Sequence, residues 1–369
     1  MAPDIKLPPL FDWHSENGAR FTEFAGWKMP LRYAAGPVAE HRAVRTSAGL
    51  FDISHMGRFV FTGDNAPRVL DRLVSSDILN LPDGGTRYGL LCRDDGGVLD
   101  DVFVYRHGRE YTVVVNAANT NKAAEWIGSR TDSGVTMLDA TSRTVMFALQ
   151  GPRAFTILGA LGRSDLEQLE RFATTRTTIG EIPVVVARTG YTGEDGVELI
   201  LDTASARYIW EAVLDAGETA GVAVSSIGLA ARDSLRFESG FPLYGHELDE
   251  TIVPPEALLK WACDFSRAFI GRDAIQEKID AGLERKLATV VMEDKAVPRH
   301  GYVVSAENGD RVGVVTSGMY APTVDVYAAN VLVDAAHSRR NTALLIEIRG
   351  KAYTARVVRR PLYTPAYRA

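Results

Sequence analysis

The chain has 369 residues, of which 46% are hydrophobic, and a formal net charge of −6. This length predicts two or three domains with sizeable cores, and the scattered basic residues argue against a nucleic-acid-binding protein. The two cysteines are too few for a disulfide framework and do not have the spacing of a metal site. The sequence contains no run of about 18 apolar residues, the length that would predict a membrane span. We therefore expect a cytoplasmic protein that binds neither nucleic acid nor membrane.

Helical and strand patterns alternate along the first 283 residues. A helix is predicted over residues 37–48, entering a turn at residues 49–52 (GLFD), and apolar spacing predicts a second helix over residues 66–79. Further strands are predicted at 88–92, 102–105, 111–115, 182–187 and 197–201, and further helices at 120–129, 152–161 and 204–216.

Residues 284–369 have a different pattern. Short alternating strands are separated by turn signals at residues 307–310 (ENGD) and 349–351 (RGK). This predicts a separate all-β, barrel-like domain of roughly 80 residues, within ordinary domain size. The whole chain is therefore expected to have an α+β fold with an all-β C-terminal domain, divided into residues 1–283 and 284–369.

Residues 96–101 (GGVLDD) place two carboxylates at the start of an apolar strand. Side chains alternate faces along a strand, so at most one of Asp100 and Asp101 serves a pocket, and the other is left to solvent or a backbone cap. The paired glycines allow a tight turn and close approach of a ligand or another backbone. A carboxylate fixed there suits general-acid or electrostatic work on a protonatable nitrogen; the alternative is a hairpin turn with two solvated acids.

Residues 188–201 combine a glycine-rich loop with an apolar strand that contains Glu198. The glycine spacing matches neither the dinucleotide fingerprint nor the P-loop. If Glu198 faces inward it needs hydrogen-bond donors, because an unpaired buried carboxylate is strongly unfavourable. Such a group can accept parallel N–H bonds from the guanidine-like edge of a pterin or guanine. The alternative is an outward-facing strand glutamate.

Residues 228–240 predict a short helix ended by glycine, with Arg232 and Arg236 on one face. Paired arginines can bind an anionic ligand tail; the alternative is a salt-bridged surface with Asp233 and Glu238. No histidine or cysteine spacing indicates a metal site, and no nucleophile elbow is present. We therefore expect a bound cofactor, oriented by the protein, to carry the reaction.

Together these segments resemble the aminomethyltransferase (T-protein) family of the glycine cleavage system, over residues 10–363. The matching stretches are 24–30 (FAGWKMP), 40–45 (EHRAVR), 49–57 (GLFDISHMG), 96–101 (GGVLDD), 115–119 (VNAAN), 149–152 (LQGP), 188–196 (RTGYTGEDG), 228–233 (GLAARD), 243–251 (LYGHELDET), 269–272 (FIGR) and 316–318 (TSG). The resemblance implies a three-domain cloverleaf around a central tetrahydrofolate-binding hole. Residues 1–283 would then hold two interleaved domains.

The resemblance also implies an activity. In this family an aminomethyl group is carried on the lipoyl arm of the H-protein, ammonia is released, and the methylene unit passes to tetrahydrofolate. By position, Asp101 matches the acidic residue beside the folate nitrogens, Glu198 the pterin clamp and Arg232 the folate-site arginine. The lesser pocket positions are Tyr88, Asn116 and Tyr191, with Phe172 where a relative has tyrosine and Tyr367 by its distance from Pro361.

Two other functions stay open. The first is that of a paralogous tetrahydrofolate-dependent demethylase or methyltransferase acting on a small N-, O- or S-methylated compound. The sequence departs from the usual family pattern at residues 257–265 and 316–329, outside the folate positions, and these departures concern the donor. The second is a folate-binding regulatory or assembly protein without chemistry, against which the intact GGVLDD segment argues.

Overall fold

The structure, a computed structural model, describes residues 5–368 and consists of two compact units. The first unit comprises the chain up to Leu70 together with Ile78–Tyr88 and Val102–Leu235. The second comprises Asp71–Asp77, Gly89–Asp101 and the chain from Arg236 onward. The chain thus passes between the two units several times, and the division predicted at residue 284 remains a prediction.

The α-helices are short, and the first and the last of them lie where the sequence predicts no helix. They are α1 (Phe11–Glu16), α2 (Pro37–Thr46), α3 (Ala66–Leu73), α4 (Thr120–Gly128), α5 (Ala154–Ala160), α6 (Ala206–Thr219), α7 (Leu229–Glu238) and α8 (Arg272–Ala281). An antiparallel hairpin of β1 (Arg20–Phe24) and β2 (Trp27–Arg32) lies between α1 and α2 in the chain.

A six-stranded sheet forms the centre of the first unit. In spatial order its strands are β10 (Thr174–Ile179), β11 (Ile182–Ala187), β12 (Gly196–Asp202), β9 (Thr144–Gln150), β3 (Ala48–Asp52) and β13 (Val224–Ile227). The pairing is antiparallel except between β3 and the edge strand β13. The strands predicted at 182–187 and 197–201 are confirmed as β11 and the body of β12.

Strand β3 corrects the sequence prediction of a turn at residues 49–52. All five of its residues are buried, and it lies between β9 and β13. A Cβ atom on Gly49 would lie 2.5 Å from Val44 Cγ2 and 2.6 Å from Ile227 Cγ1. This glycine therefore allows close packing inside a sheet, and the segment lacks polar alternation because both of its faces are covered.

The core of the first unit covers both faces of this sheet. Along β9, Phe147 packs into a cluster with Ile157 of α5 and Trp210 of α6. The alternate residue Met146 packs into a second cluster that includes Leu235 of α7. Two-sided burial explains why β9 is a nearly continuous apolar run.

A five-stranded sheet contains the GGVLDD segment. In spatial order its strands are β5 (Thr86–Cys92), β6 (Val98–His107), β7 (Glu110–Val115), β4 (Gly57–Thr62) and β8 (Thr136–Asp139). Strand β6 begins earlier than predicted, so Asp100 and Asp101 lie within the strand rather than before it.

The helix predicted over residues 66–79 is shorter in the structure, because α3 ends at Leu73. Beyond it, Val74 forms a bridge to Leu91, and the Ser75 N–H donates to the Leu90 carbonyl at 2.9 Å. Extended pairing with β5 thus replaces the last helical turns, a tertiary effect that apolar spacing does not reveal.

The C-terminal part of the chain forms a closed barrel, as predicted. In spatial order its strands are β14 (Arg285–Met292), β17 (Val326–Asp334), β16 (Arg311–Ala321), β15 (Val303–Ser305), β18 (Ala343–Ile348) and β19 (Lys351–Val358). Pairing of β14 with β19 closes it. Its interior is filled by aliphatic residues such as Val290, Val315, Val331 and Ile346, all without exposed surface. The predicted α+β class with an all-β C-terminal barrel is confirmed.

Within residues 5–368, none of the helices combines the length and the apolar character needed to span a membrane.

Candidate active site

Glu198 is a buried carboxylate in the middle of β12, where it pairs with Ala148 of β9 and Ala187 of β11. Its side chain faces inward, and the residue is 7% exposed. The Tyr105 hydroxyl donates to Oε2 at 3.1 Å, and the Thr189 hydroxyl donates to the same oxygen at 2.5 Å. Since both donors use Oε2, Oε1 makes no hydrogen bond to any residue that the structure describes.

An aromatic ledge, formed by Tyr88, Phe103 and Phe172, lies in the same unit. The Tyr88 and Phe103 rings meet edge to face with centroids 5.4 Å apart, and the Phe103 and Phe172 rings are nearly parallel at 6.5 Å. Phe103 is also 6.5 Å from the ring of Tyr105, which donates to Glu198. The ledge therefore connects to the carboxylate through Tyr105.

Phe172 holds an unusual position on this ledge. Its backbone has a positive φ of 61°, and its side chain is 48% exposed. The Thr86 N–H donates to the Phe172 carbonyl at 2.7 Å, and the Phe172 N–H donates to the Arg188 carbonyl at 3.1 Å. A large apolar ring fixed in this way and open to solvent is suited to stacking on a planar ligand.

Arg232 lies on α7 and is half-buried, with its guanidinium over the Tyr191 ring at 4.6 Å from the centroid. Burial lowers the pKa of Arg232, and the charges of Tyr191 and Glu198 act in the opposite direction. Its Nη1 atom is buried and has no hydrogen-bond partner among the described residues. A buried N–H without an acceptor is costly, so this position favours a ligand oxygen.

The glycine-rich loop between β11 and β12 is fixed by Gln150. The amide of Gln150 donates to the Thr189 carbonyl at 3.0 Å and accepts from the Thr192 hydroxyl at 2.9 Å. A Cβ atom on Gly190 would lie 1.8 Å from Gln150 Oε1. The close approach that Gly190 permits is therefore made by a protein side chain, which holds Thr189 in place against Glu198.

Close approach is also found at Gly96 and Gly97, in the second unit. Gly96 has a φ of +85°, and a Cβ atom on Gly97 would lie 2.0 Å from the Glu250 carbonyl oxygen. The glycine pair thus accommodates another backbone, one of the two predicted possibilities.

The two aspartates do point to different faces of β6, but neither is fully solvated. Asp100 shares its face of the strand with Val102 and Val104, and the three residues are 0%, 1% and 0% exposed. Asp101 and Phe103 are half-buried. Of the two alternatives expected for the second acid, solvent exposure is therefore wrong, because the Asp100 face of the strand is the fully buried one, and a backbone cap stays a prediction.

Asn116 and Tyr367 complete the predicted site residues. Half-buried Asn116 directly follows β7 and precedes the 3₁₀ turn Ala117–Asn119 in the first unit. Tyr367 lies in the 3₁₀ turn Ala366–Arg368 of the second unit and is 40% exposed. The structure joins Glu198, Arg232, Tyr191, Tyr88 and Phe172 into one neighbourhood, whereas Asp101 and Tyr367 belong to the other unit, and their roles remain predictions.

Arg236 does not form the anion-binding pair with Arg232 that their spacing allows. It is 1% exposed and donates to Glu247 Oε2 at 2.7 Å and to the Ser317 hydroxyl at 2.8 Å. Arg236 is therefore held by a buried carboxylate rather than by a salt-bridged surface, and Glu238 is itself 0% exposed.

Thr189 is a residue of the neighbourhood that sequence reasoning missed. It is nine positions before Glu198, across the hairpin of β11 and β12, in which Ala187 pairs with Glu198. That register, which the sequence does not state, is what places its hydroxyl beside the carboxylate.

Two family models match the chain. The GCVT N-terminal domain matches residues 10–267, and the glycine cleavage T-protein C-terminal barrel domain matches residues 285–364.

Full-length relatives match as well. The aminomethyltransferase of Geobacillus sp. (strain WCH70) is 39% identical over 366 residues, covering 98% of this chain and 100% of the relative. That of Symbiobacterium thermophilum is 41% identical over 378 residues, covering 100% of each. The crystal structure of glycine cleavage system aminomethyltransferase T from Bartonella henselae superposes with a TM-score of 0.91 at 33% identity, covering 98% of this chain and 99% of that one.

Proposed function

The chain belongs to the glycine cleavage T-protein family and is an aminomethyltransferase, and we propose on this basis which reaction it carries out. The donor is an aminomethyl group on the lipoyl arm of an H-protein in the cytoplasm. The acceptor is tetrahydrofolate, and the products are methylene-tetrahydrofolate, ammonia and the H-protein with its lipoyl arm released as the dithiol. The first support for this proposal is the neighbourhood around Glu198.

The observation that supports the proposal most strongly is that only one oxygen of the Glu198 carboxylate accepts hydrogen bonds from the protein. Two hydroxyls orient it through Oε2, while Oε1 makes no hydrogen bond within the described chain. A pterin presents adjacent N–H donors, its ring N3–H and its 2-amino group, on one edge. Charged hydrogen bonds from such an edge to a carboxylate oxygen are among the stronger polar contacts in proteins. The residues present therefore fit a folate.

The aromatic ledge and Arg232 fit the rest of such a ligand. Tyr88 and Phe172 flank Phe103 with rings suited to stacking on a planar bicycle. Arg232 offers an unused buried N–H, and Tyr191 holds its guanidinium. We assign Glu198, Arg232, Tyr191, Tyr88 and Phe172 to folate binding on these contacts.

Three further residues are assigned chiefly on family position. Asn116 and Tyr367 are proposed as further folate-binding residues. Asp101 is proposed as the catalytic acid, since it lies two residues before Phe103 on β6 and side chains two apart share a face of a strand.

Tetrahydrofolate, when bound, supplies the nitrogen that accepts the one-carbon unit. Asp101 would act electrostatically. The departing ammonia and the attacking nitrogen both develop positive charge, and a fixed carboxylate stabilises that charge. Glu198 and Arg232 would orient the ring system, and the aromatic ledge would keep water from one face. Each of these roles uses side chains that are already positioned in the protein.

The test is an ammonia assay with purified chain, aminomethyl-lipoyl H-protein and tetrahydrofolate. The proposal predicts release of ammonia that requires both the carrier and tetrahydrofolate. The result against it is no ammonia from this donor together with folate-dependent demethylation of a small methylated compound. That outcome would establish the demethylase alternative.

A further inference from the structure

A cleft of about 630 Å³ lies in the first unit, and its described lining shares no residue with the proposed folate site. One wall is the continuous run of residues 222–226, which contains most of β13. Because side chains alternate faces along a strand, a cleft bordered by consecutive residues runs along the edge of that strand. Its volume is in the range of natural ligand sites.

The helices that border the cleft confirm that it lies at the edge of the six-stranded sheet. Helix α6 contributes Leu214 and Glu218 to the lining, and α2 contributes Glu40. These helices cover opposite faces of the sheet, because Val213 of α6 belongs to one core cluster and Val44 of α2 belongs to the other. A cleft that reaches both helices therefore passes around the outermost strand.

Strand β13 presents an open edge to this cleft. It pairs with β3 on one side, and no described strand pairs with its other side. Edge strands are usually protected by lysine, proline or a bulge. The sequence of β13 is VSSI, its register with β3 is continuous, and Ser225 and Ser226 are half-buried. The strand therefore has none of these three protections.

The protein closes this edge only at its two ends. Before β13, the Val222 N–H donates to the Gly217 carbonyl at 2.8 Å. After it, the Gly228 N–H donates to Glu40 Oε2 at 2.8 Å, and a Cβ atom on Gly228 would lie 2.3 Å from the carbonyl oxygen of Leu31. The opening is thus confined to the strand itself, where an added strand would pair.

The charged side chains that line the cleft are both acidic. Glu218 is exposed, and Glu40 is buried, with Oε1 accepting from the Tyr33 N–H at 2.6 Å. Trp13 of α1 and Leu214 of α6 add apolar surface. An extended segment that alternates basic and apolar side chains would complement this lining in both charge and polarity.

We propose that the open edge of β13 is a docking site for an extended, basic segment of a partner protein, which joins the six-stranded sheet as a seventh strand. In this mode of recognition the main chain supplies the hydrogen bonds, and alternate side chains supply the specificity. The side chains of the added strand would point in turn toward α6 and toward α2. This docking does not depend on folate binding, because it uses neither Glu198 nor Arg232.

The experiment is a fluorescence anisotropy titration of the full chain with a fluorescein-labelled peptide of alternating lysine and valine. A second peptide, N-methylated at alternate residues, keeps the charges but has no N–H donors on one edge. Glu218→Lys reverses the exposed charge in the cleft. Asp215→Lys is the matched control, because Asp215 is an exposed acid of the same helix outside the lining. Circular dichroism melting checks that both variants fold.

The titrations are made in about 0.15 M salt, where charges more than about 8 Å apart are largely screened. Glu218→Lys is expected to weaken binding of the first peptide about tenfold, and Asp215→Lys to change it less than about threefold. The wild type is expected to bind the N-methylated peptide about tenfold more weakly or less tightly still. Hydrogen exchange should show that the first peptide protects amides of β13.

Four outcomes would overturn this assignment. They are no binding at about 1 mM peptide, equal binding of the N-methylated peptide, equal losses in the two variants, and protection confined to residues outside β13. Each of them leaves the proposed function in place, because the ammonia assay does not use the cleft.

Discussion

Two buried glutamates, one in each compact unit, differ in how completely the protein satisfies them. Glu198 in the first unit receives two hydroxyl donors on one oxygen and none on the other among the described residues. Glu247 in the second unit is bonded at both oxygens, by Arg236 at 2.7 Å on Oε2 and by Thr316 at 2.7 Å on Oε1. Asn330 also donates to Oε1, at 3.3 Å.

The difference extends to the charge that accompanies each carboxylate. Glu247 and Arg236 form an ion pair with 0% and 1% side-chain exposure. Burial alone would raise the pKa of Glu247, but the Arg236 charge and the hydroxyls of Ser317 and Thr316 lower it to about 2. Near Glu198, by contrast, the cationic group Arg232 retains an unpaired N–H.

The comparison teaches that burial of charge serves two purposes in this molecule. A carboxylate whose partners are all internal ties elements of the fold together, and a ligand has nothing to add there. A carboxylate and an arginine whose atoms are not all paired within the protein can form further hydrogen bonds with a ligand. Changes at the first kind of site should alter stability, and changes at the second should alter binding.

The largest expected effect is on folding, from Glu247→Gln. The change leaves the buried Arg236 without a counter-charge, and breaking a buried pair typically lowers the free energy of unfolding by about 3–5 kcal/mol. The matched control is Glu293→Gln, which breaks a pair with Arg356 at 2.8 Å and about half exposure. Exposed pairs are worth about 0–1 kcal/mol. Denaturant unfolding checks both; equal losses would contradict the distinction.

Next in size is the effect of Asp101→Asn on turnover. The variant keeps the shape of the side chain and loses its charge, so turnover in the ammonia assay should fall by about 10²–10³ with tetrahydrofolate affinity largely kept. Asp100→Asn, on the fully buried face of β6, should lower stability more than turnover. If Asp100→Asn instead abolishes turnover in a folded protein, the two aspartates have the opposite roles.

The pH dependence of stability sharpens the comparison further. The folded-state pKa of Glu247, about 2, lies below its ordinary value of 4.5, so its contribution is complete above pH 4.5 and is lost as the pH falls toward 2. The wild type should therefore lose about 3 kcal/mol more than Glu247→Gln over this window. Denaturant midpoints measured at several pH values for both proteins test this. Parallel curves would show that Glu247 does not contribute.

Much of this architecture follows from local pattern. The β11 strand and the C-terminal barrel could be predicted, because β-branched alternation is a local signal. The sequence leaves open whether Glu198 faces inward, and only the folded β12 decides it. Strand β3 could not be predicted, because a glycine such as Gly49 is typical of a turn. Only the folded structure shows that Gly49 allows close packing against Val44 and Ile227.

The parts of the site that escaped prediction depend on register and burial. Thr189 reaches Glu198 through hairpin register, and Asp100 is buried because its face of β6 is covered. Such features follow from tertiary contacts, which a single sequence does not specify.

The smallest of these effects in energy is also the most direct test of the folate site. Glu198→Gln keeps size and one acceptor but removes the charge, and a charged hydrogen bond of this kind is worth about 1.5–3 kcal/mol. Calorimetry should show tetrahydrofolate binding weakened at least tenfold while the unfolding midpoint stays near that of the wild type. Unchanged affinity, or a loss of stability comparable to that of Glu247→Gln, would contradict the assignment of Glu198 to ligand binding.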